Sequence, residues 1–203
     1  MMTNETGSVK YECIWDETIP FVLRQINDLN NHRAKLYSLG FIGAYENGIG
    51  YGNISVRLED KLFLITGTST GHIETLGKEH YTKVTSYNFE QNKLSCKGPI
   101  KASAESMTHA AVYECDREIN AAIHIHDKKL WDQLIDSVPT TSPEIEYGTP
   151  QMALEIFRLF KETDVKTGKI LVMAGHEEGI ISFGKTLREA MKVILDNVKP
   201  EVR

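Results

Sequence analysis

The sequence predicts an α/β fold, a single three-layer α/β/α domain around a mostly antiparallel central sheet. Three observations carry that expectation: a helix-like apolar spacing near the start, a run of short alternating strands joined by polar turns, and a second half in which helices alternate with apolar strands. With 203 residues, 41% hydrophobic and 25% charged, the chain is long enough to bury one sizeable core and short enough to need only one. Residues 21–203 are assigned to this domain, and residues 1–20 read as a loosely tethered, flexible N-terminal segment.

Between residues 21 and 39, Val22, Ile26, Leu29, Leu36 and Leu39 follow helical spacing, giving an amphipathic helix or helix pair stopped by Gly40 and Gly43. Residues 54–58 and 62–66 read as a hairpin around Glu59-Asp60-Lys61, with Ile54, Val56 and Leu58 alternating against Ser55 and Arg57. Residues 81–89 and 93–96 continue the sheet across the turn Glu90-Gln91-Asn92, and Gly98-Pro99 ends it. Ser103, or Ser106 one turn later, offers an N-cap for a helix reaching about Glu114, which places Glu105 in its first turn. Residues 119–126 form a buried strand and residues 129–135 a short helix carrying Leu130, Trp131 and Leu134. Thr149 caps another helix with Pro150 at its first position. Residues 170–174 and 180–183 are strands, and Thr186 caps a final helix that ends before Pro200.

A formal charge of −5, with no block of Lys and Arg to offset it, excludes a protein that holds nucleic acid through a generally basic surface. The polar stretch Met1 to Lys10 has no apolar signal core. No later stretch approaches the roughly 18 apolar residues of a spanning helix. The expectation is a soluble, cytoplasmic protein with no membrane partner. Cys13, Cys96 and Cys115 are odd in number, widely spaced and free of any C-x-x-C pair, so they read as reduced structural thiols.

The chemistry concentrates in Ile123-His124-Ile125-His126, because alternation along a strand throws both imidazoles onto one face, where they can share a metal ion. Glu105 lies one helix upstream, and His176 follows a later apolar strand. Three histidines and a carboxylate suit an open zinc site, a Lewis acid with a nearby proton carrier. Manganese, iron or cobalt would suit the same donors. His109, four residues after Glu105, reads as its partner on the helix surface. His32, His72 and His80 carry no pattern, and Glu177 and Glu178 read as solvated charges beside the site. The small, hydroxyl-rich stretches 50–55 and 66–71 offer backbone N–H groups to a phosphate, and Ser103 at a helix start adds to them, although each alone is an ordinary turn.

Taken in order, Gly52-Asn53-Ile54-Ser55-Val56-Arg57, Leu64-Ile65-Thr66-Gly67-Thr68, Ser103-Ala104-Glu105 with His109, His124-Ile125-His126, Tyr147-Gly148-Thr149 and His176 before Gly179 resemble the class II aldolase/adducin family, from about Leu36 to Leu195. That resemblance implies a homotetramer with zinc on His124, His126 and His176. Glu105 would be the acid/base residue, and a further metal ligand when substrate is absent. Gly52, Asn53, Ser103 and the Thr68-Ser69 stretch would cradle the phosphate of a sugar phosphate. The implied reaction is cleavage of a carbon–carbon bond of that sugar phosphate, or of a related hydroxy-ketone, through a metal-bound enediolate.

The chain departs from the family in three places. Ala104 stands where the family has a second phosphate-binding serine. The segment between His126 and His176 is shorter and has no counterpart of the tyrosine that donates a proton from a neighbouring subunit. His-Glu-Glu-Gly replaces His-Gly at His176. The same resemblance covers metal-dependent epimerases, a methylthioribulose-phosphate-type dehydratase and the non-catalytic adducin oligomerisation module. Against the last stands the retention of three histidines and Glu105, a polar pocket that a scaffold does not need.

Overall fold

The computed structural model describes residues 9–22 and 24–198. In chain order the elements are β1 (Glu12–Glu17), α1 (Arg24–Ser38), β2 (Gly43–Ala44), β3 (Gly50–Tyr51), β4 (Asn53–Glu59), β5 (Leu62–Thr66), β6 (Tyr81–Asn88), β7 (Lys93–Gly98), α2 (Ser106–Cys115), β8 (Ala121–His126), α3 (Lys128–Leu134), α4 (Pro150–Glu162), α5 (Val165–Gly168), β9 (Ile170–Val172), β10 (Gly179–Gly184) and α6 (Leu187–Asn197). Eight strands form one sheet in the order β1-β7-β6-β5-β4-β8-β10-β9, and β2 pairs with β3 alone. Every neighbour in the large sheet is antiparallel except β1, which runs parallel to β7.

Period-two alternation divides the core into two layers. Phe63 and Ile65 of β5, Ala122 of β8, and Ile181 and Phe183 of β10 pack with Met107 and Ala110 of α2 and Ile156 and Leu159 of α4. Their sequence neighbours Leu64, Ile123, Ile125 and Ile180 face the other way, onto Leu29 and Leu36 of α1, Leu130 of α3 and Ile194 of α6. The three-layer expectation holds. So do the expected caps: Thr149 Oγ1 accepts from Met152 N at 3.3 Å with Pro150 first in the helix, and Thr186 Oγ1 accepts from Glu189 N at 3.1 Å.

The N-terminal segment differs from its expectation. Residues 1–8 lie outside the described residues, but Glu12–Glu17 is a strand, not a loose tether. Its pattern escapes a hydropathy reading because it is an edge strand with acidic residues at 12, 16 and 17. Charge supplies the register instead: Glu12 is opposite Lys93 and Asp16 opposite Lys97, with ion pairs of 2.9 and 2.8 Å. This brings Cys13 Sγ to 3.7 Å from Cys96 Sγ as free thiols, a closeness their sequence spacing hides. The short α5 and the two-residue β2 and β3 also carry no sequence period long enough to read. No helix among the described residues is long and apolar enough to cross a membrane.

Arg33 of α1 is 2% exposed and turns its guanidinium onto the loop after β5. It donates to the carbonyls of Glu74 at 2.6 Å, Thr70 at 3.1 Å and Gly71 at 2.9 Å. A buried cation stabilised by carbonyl dipoles fixes that loop tightly, because losing the donors removes a bond from each of three carbonyls, among them that of the buried Gly71. Arg33→Met, which keeps the aliphatic stem, is expected to lower unfolding stability by about 3 kcal/mol. Urea denaturation measures it, and a loss below about 0.5 kcal/mol would show that water replaces the guanidinium freely.

Candidate metal centre

Ala122, His124 and His126 share one face of β8, the face that α2 covers, so strand alternation brings both imidazoles to the start of that helix. His124 lies opposite Asn53 of β4 and Ile181 of β10, and His126 opposite Gly179. His176 enters from the turn between β9 and β10, closed by Gly179 N donating to the His176 carbonyl at 2.8 Å. Gly179 is required here: a Cβ would sit 2.7 Å from His176 Cδ2 and 3.2 Å from His124 Cε1.

The three imidazoles converge through their Nε2 atoms. His124 Nε2 is 3.1 Å from His126 Nε2, which is 3.0 Å from His176 Nε2. All three rings are buried, and one ligand nitrogen from each lies within 4.8 Å of the others. Burial, reinforced by the neighbouring imidazoles, holds His124 and His126 well below the ordinary histidine range, and burial brings His176 down to about 4. Neutral imidazoles are the form a cation requires.

Glu105 occupies the N-cap position of α2 and is 4% exposed. Thr108 Oγ1 donates to its Oε2 at 2.7 Å, whereas Oε1 is buried with no hydrogen-bond partner, 3.7 Å from His176 Nε2. The carboxylate meets the cluster at His176 rather than belonging to the compact set of three. Burial pushes its pKa up to about 7 against the opposing bond from Thr108. Three facing nitrogen acceptors beside an orphaned carboxylate oxygen fit a divalent transition metal, which would satisfy all of them together. The donor set is compatible with a metal site.

The remaining expected residues line the same open pocket of about 520 Å³. Gly52, Asn53, Thr68, Ser69 and Ser103 surround Glu105, His124, His126 and His176. Gly52 has φ +74, and a Cβ there would meet Ile42 Cγ1 at 2.7 Å and the His124 carbonyl at 3.1 Å, so its glycine is demanded by close packing under the site. Asn53 Oδ1 is buried without a partner. Ser69 is left-handed at φ 57 and exposed, and Thr68 is half-buried. Ser103 does not cap α2, which begins at Ser106; its Oγ accepts weakly from Glu105 N at 3.4 Å. Ser106, the other cap expected, is the helix's first residue.

Two readings of the sequence are corrected. His109 is not a surface partner of Glu105: it is fully buried, with Nδ1 2.6 Å from Ser55 Oγ, which in turn lies 2.6 Å from Tyr113 Oη. The helix that carries it is covered on both sides by sheet and α4, so i,i+4 spacing did not mean exposure. Glu178 is not simply solvated, because Tyr45 Oη donates to its Oε2 at 2.6 Å; Glu177 is exposed, as expected. Tyr45, Tyr51 and Tyr147 also line the pocket, the Tyr147 ring lying tilted against His176 at 4.4 Å between centroids. Of these three, Tyr147, beside the helix cap, had a signal in the sequence.

The fold and site together define an α/β/α domain with a buried three-histidine cradle at the end of an interior strand, β8. Residues 44–196 match the family described as "Class II Aldolase and Adducin N-terminal domain", and the chain belongs to that family. A curated relative, 3-oxo-tetronate 4-phosphate decarboxylase of Haemophilus influenzae, is 27% identical over 169 residues, spanning 72% of this chain and 74% of that protein. L-fuculose-1-phosphate aldolase from Thermus thermophilus superposes with a TM-score of 0.61 at 22% identity, over 84% of this chain and 87% of that one. A sugar-phosphate aldolase from Thermotoga maritima superposes at 0.64 with 16% identity, over 85% and 89%. Both structures share the fold of this chain.

The buried His109 generates a pH prediction. Burial lowers its folded pKa to about 3, whereas the unfolded side chain takes up a proton near 6.5. Stability from this group is therefore complete above pH 6.5 and falls as pH drops toward 3, by at most about 1.4 kcal/mol per pH unit. Urea unfolding of metal-free protein between pH 7 and 5 is expected to show a shallower pH slope in His109→Gln than in wild type. Equal slopes would mean that His109 titrates in the folded state much as it does unfolded.

Proposed function

We propose that this protein is a metal-dependent lyase that cleaves a carbon–carbon bond of a sugar phosphate or related phosphorylated hydroxy-ketone. The observation that carries the reading is the convergence of His124, His126 and His176 Nε2 beside the unpartnered Oε1 of Glu105. The three histidines would hold the ion, with Glu105 able to join them when substrate is absent. Zinc suits the nitrogen donors best. The ion, when bound, supplies Lewis acidity toward substrate oxygens, stabilising negative charge as the bond breaks.

Glu105 is the proton carrier in this reading. Its Oε2 is held by Thr108 while Oε1 has no hydrogen bond, and a pKa near 7 lets it accept and return a proton in neutral solution. Gly52, Asn53, Thr68, Ser69 and Ser103 receive the phosphate in this reading, and Arg33 anchors the loop of Thr68 and Ser69 from behind. Ala104, in place of a second serine, leaves that cradle one hydroxyl poorer. A homotetramer and a cytoplasmic setting, where the free thiols stay reduced, belong to the same reading. Light scattering is expected to give a mass near four times the 22.9 kDa subunit, and a monomer in solution would remove that part.

A second reading, decarboxylation of a phosphorylated oxo sugar acid, is favoured by the curated relative. Both reactions break a bond whose electron pair ends beside a carbonyl, so the same ion and base serve. Epimerisation re-forms the bond or returns the proton with inverted configuration, and dehydration expels a hydroxyl, so neither releases a carbon fragment. Product analysis on ketose 1-phosphates, methylthio sugar phosphates and 3-oxo-tetronate 4-phosphate separates aldehyde release, carbon dioxide release, isomerisation and loss of water. Turnover in Glu105→Gln is expected to fall about 10²- to 10⁴-fold with bound metal retained. Wild-type turnover in that variant would end its assignment as proton carrier, and no turnover of any phosphorylated sugar or sugar acid by a metal-loaded protein would favour the adducin-like scaffold.

A further inference from the structure

A neutral histidine offers one ring nitrogen to an ion while the other carries the proton, and an acceptor that holds that N–H fixes both tautomer and ring orientation. His126 turns Nε2 toward His124 and His176, and its Nδ1 lies 2.8 Å from Tyr45 Oη. Tyr45 Oη also lies 2.6 Å from Glu178 Oε2. A phenol has one proton to give, and the carboxylate is an acceptor, so the Tyr45 proton is committed to Glu178. The phenolic oxygen is then left to accept, and the donor before it is His126 Nδ1–H. The chain Nδ1–H to Oη, O–H to Oε2, runs in one direction and leaves the Nε2 lone pair facing the other two imidazoles.

We infer that Tyr45 and Glu178 are positioning residues that lock the tautomer and ring orientation of His126 for a divalent cation, so that two side chains outside the ligand set govern the site's metal affinity. The inference rests on the metal reading above and adds to it. Its backbone setting fits: Glu178 has a left-handed φ of 68 in the β9–β10 turn. Asp127 N donates to the Glu178 carbonyl at 3.2 Å, tying that turn to the end of β8, one residue beyond His126. Tyr45 is itself steadied by Tyr51, 4.7 Å away by ring centroid, and Tyr51 packs 5.5 Å from the His126 ring.

The test is a zinc titration of the full-length, metal-free protein against a chromophoric chelator, with the visible spectrum of the cobalt(II) form recorded in parallel. Tyr45→Phe, which keeps the ring, is expected to weaken zinc binding about 10- to 100-fold and to shift the cobalt bands, while thermal unfolding of the metal-free protein stays as in wild type. Glu178→Gln, whose amide oxygen still accepts the Tyr45 proton, is expected to retain more affinity than Glu178→Ala. Wild-type affinity in Tyr45→Phe and Glu178→Ala would overturn the inference while leaving the metal centre intact. Equal losses in Glu178→Gln and Glu178→Ala would overturn it as well, since packing and not an acceptor would then be the cause. A wild-type protein that binds neither zinc nor cobalt would sink the metal reading and this inference together.

Discussion

Three imidazole nitrogens pointed at one another on the wall of the pocket are the constraint around which this domain is arranged. A buried acceptor without a donor costs about 1–3 kcal/mol, and the neighbouring Glu105 Oε1 is one. A chain gains nothing from such a group unless something brings positive charge to it. Protonating the imidazoles is the alternative relief, but their burial opposes it, holding all three below the usual histidine range. The geometry is therefore one that a cation relieves and a proton does not.

Such a cluster survives only on rigid supports. His124 and His126 sit on β8, which has β4 on one side and β10 on the other, with helices covering both faces, so neither ring can escape by strand bending. His176 is brought alongside by a tight turn whose Gly179 has no Cβ to fend it off, and Gly52 gives the same close approach beneath His124. Glu105 comes from the N-cap of α2, where the helix dipole favours a carboxylate even as burial disfavours its charge. Opposed effects of this kind hold an acid near neutrality.

What the sequence made legible was whatever depends on a short period or a local bond. The two imidazoles on one strand face, the hairpin of residues 54–66 and the caps Thr149 and Thr186 each follow from residues a few positions apart. What stayed hidden depends on tertiary contact. His109 looked like an i,i+4 partner of Glu105, and only the packing of α2 between sheet and α4 shows that its real partner is Ser55, 54 residues away. Tyr45 and Glu178 are 133 residues apart and meet only because the β2–β3 connection and the β9–β10 turn come together beside His126. The loops that line the pocket were readable as turns, but the anchor of the one after β5, Arg33, sits in a helix where an arginine ordinarily signals the solvent face.

The N-terminal strand carries that argument furthest, since hydropathy dismissed it and its place next to the site is structural. Tyr11, immediately before β1, is buried and donates its one hydroxyl proton to the Ser103 carbonyl at 2.8 Å, with the Ala102 carbonyl 3.2 Å away. Trp15 Nε1 donates to the Gly98 carbonyl at 2.9 Å. Residues 98–105 form the wall that delivers Ser103 and Glu105, and they lack a helix or long strand of their own to satisfy those carbonyls. The N-terminal segment provides the donors. Its register is set by charge pairs with Lys93 and Lys97 at the sheet edge, far weaker individually than core packing because they are solvent-exposed. The position of the proposed proton carrier thus depends on an edge strand held partly by exposed ion pairs and partly by two aromatic side chains bonded to backbone carbonyls. Of these, the aromatic hydrogen bonds dominate, because they satisfy carbonyls turned away from water.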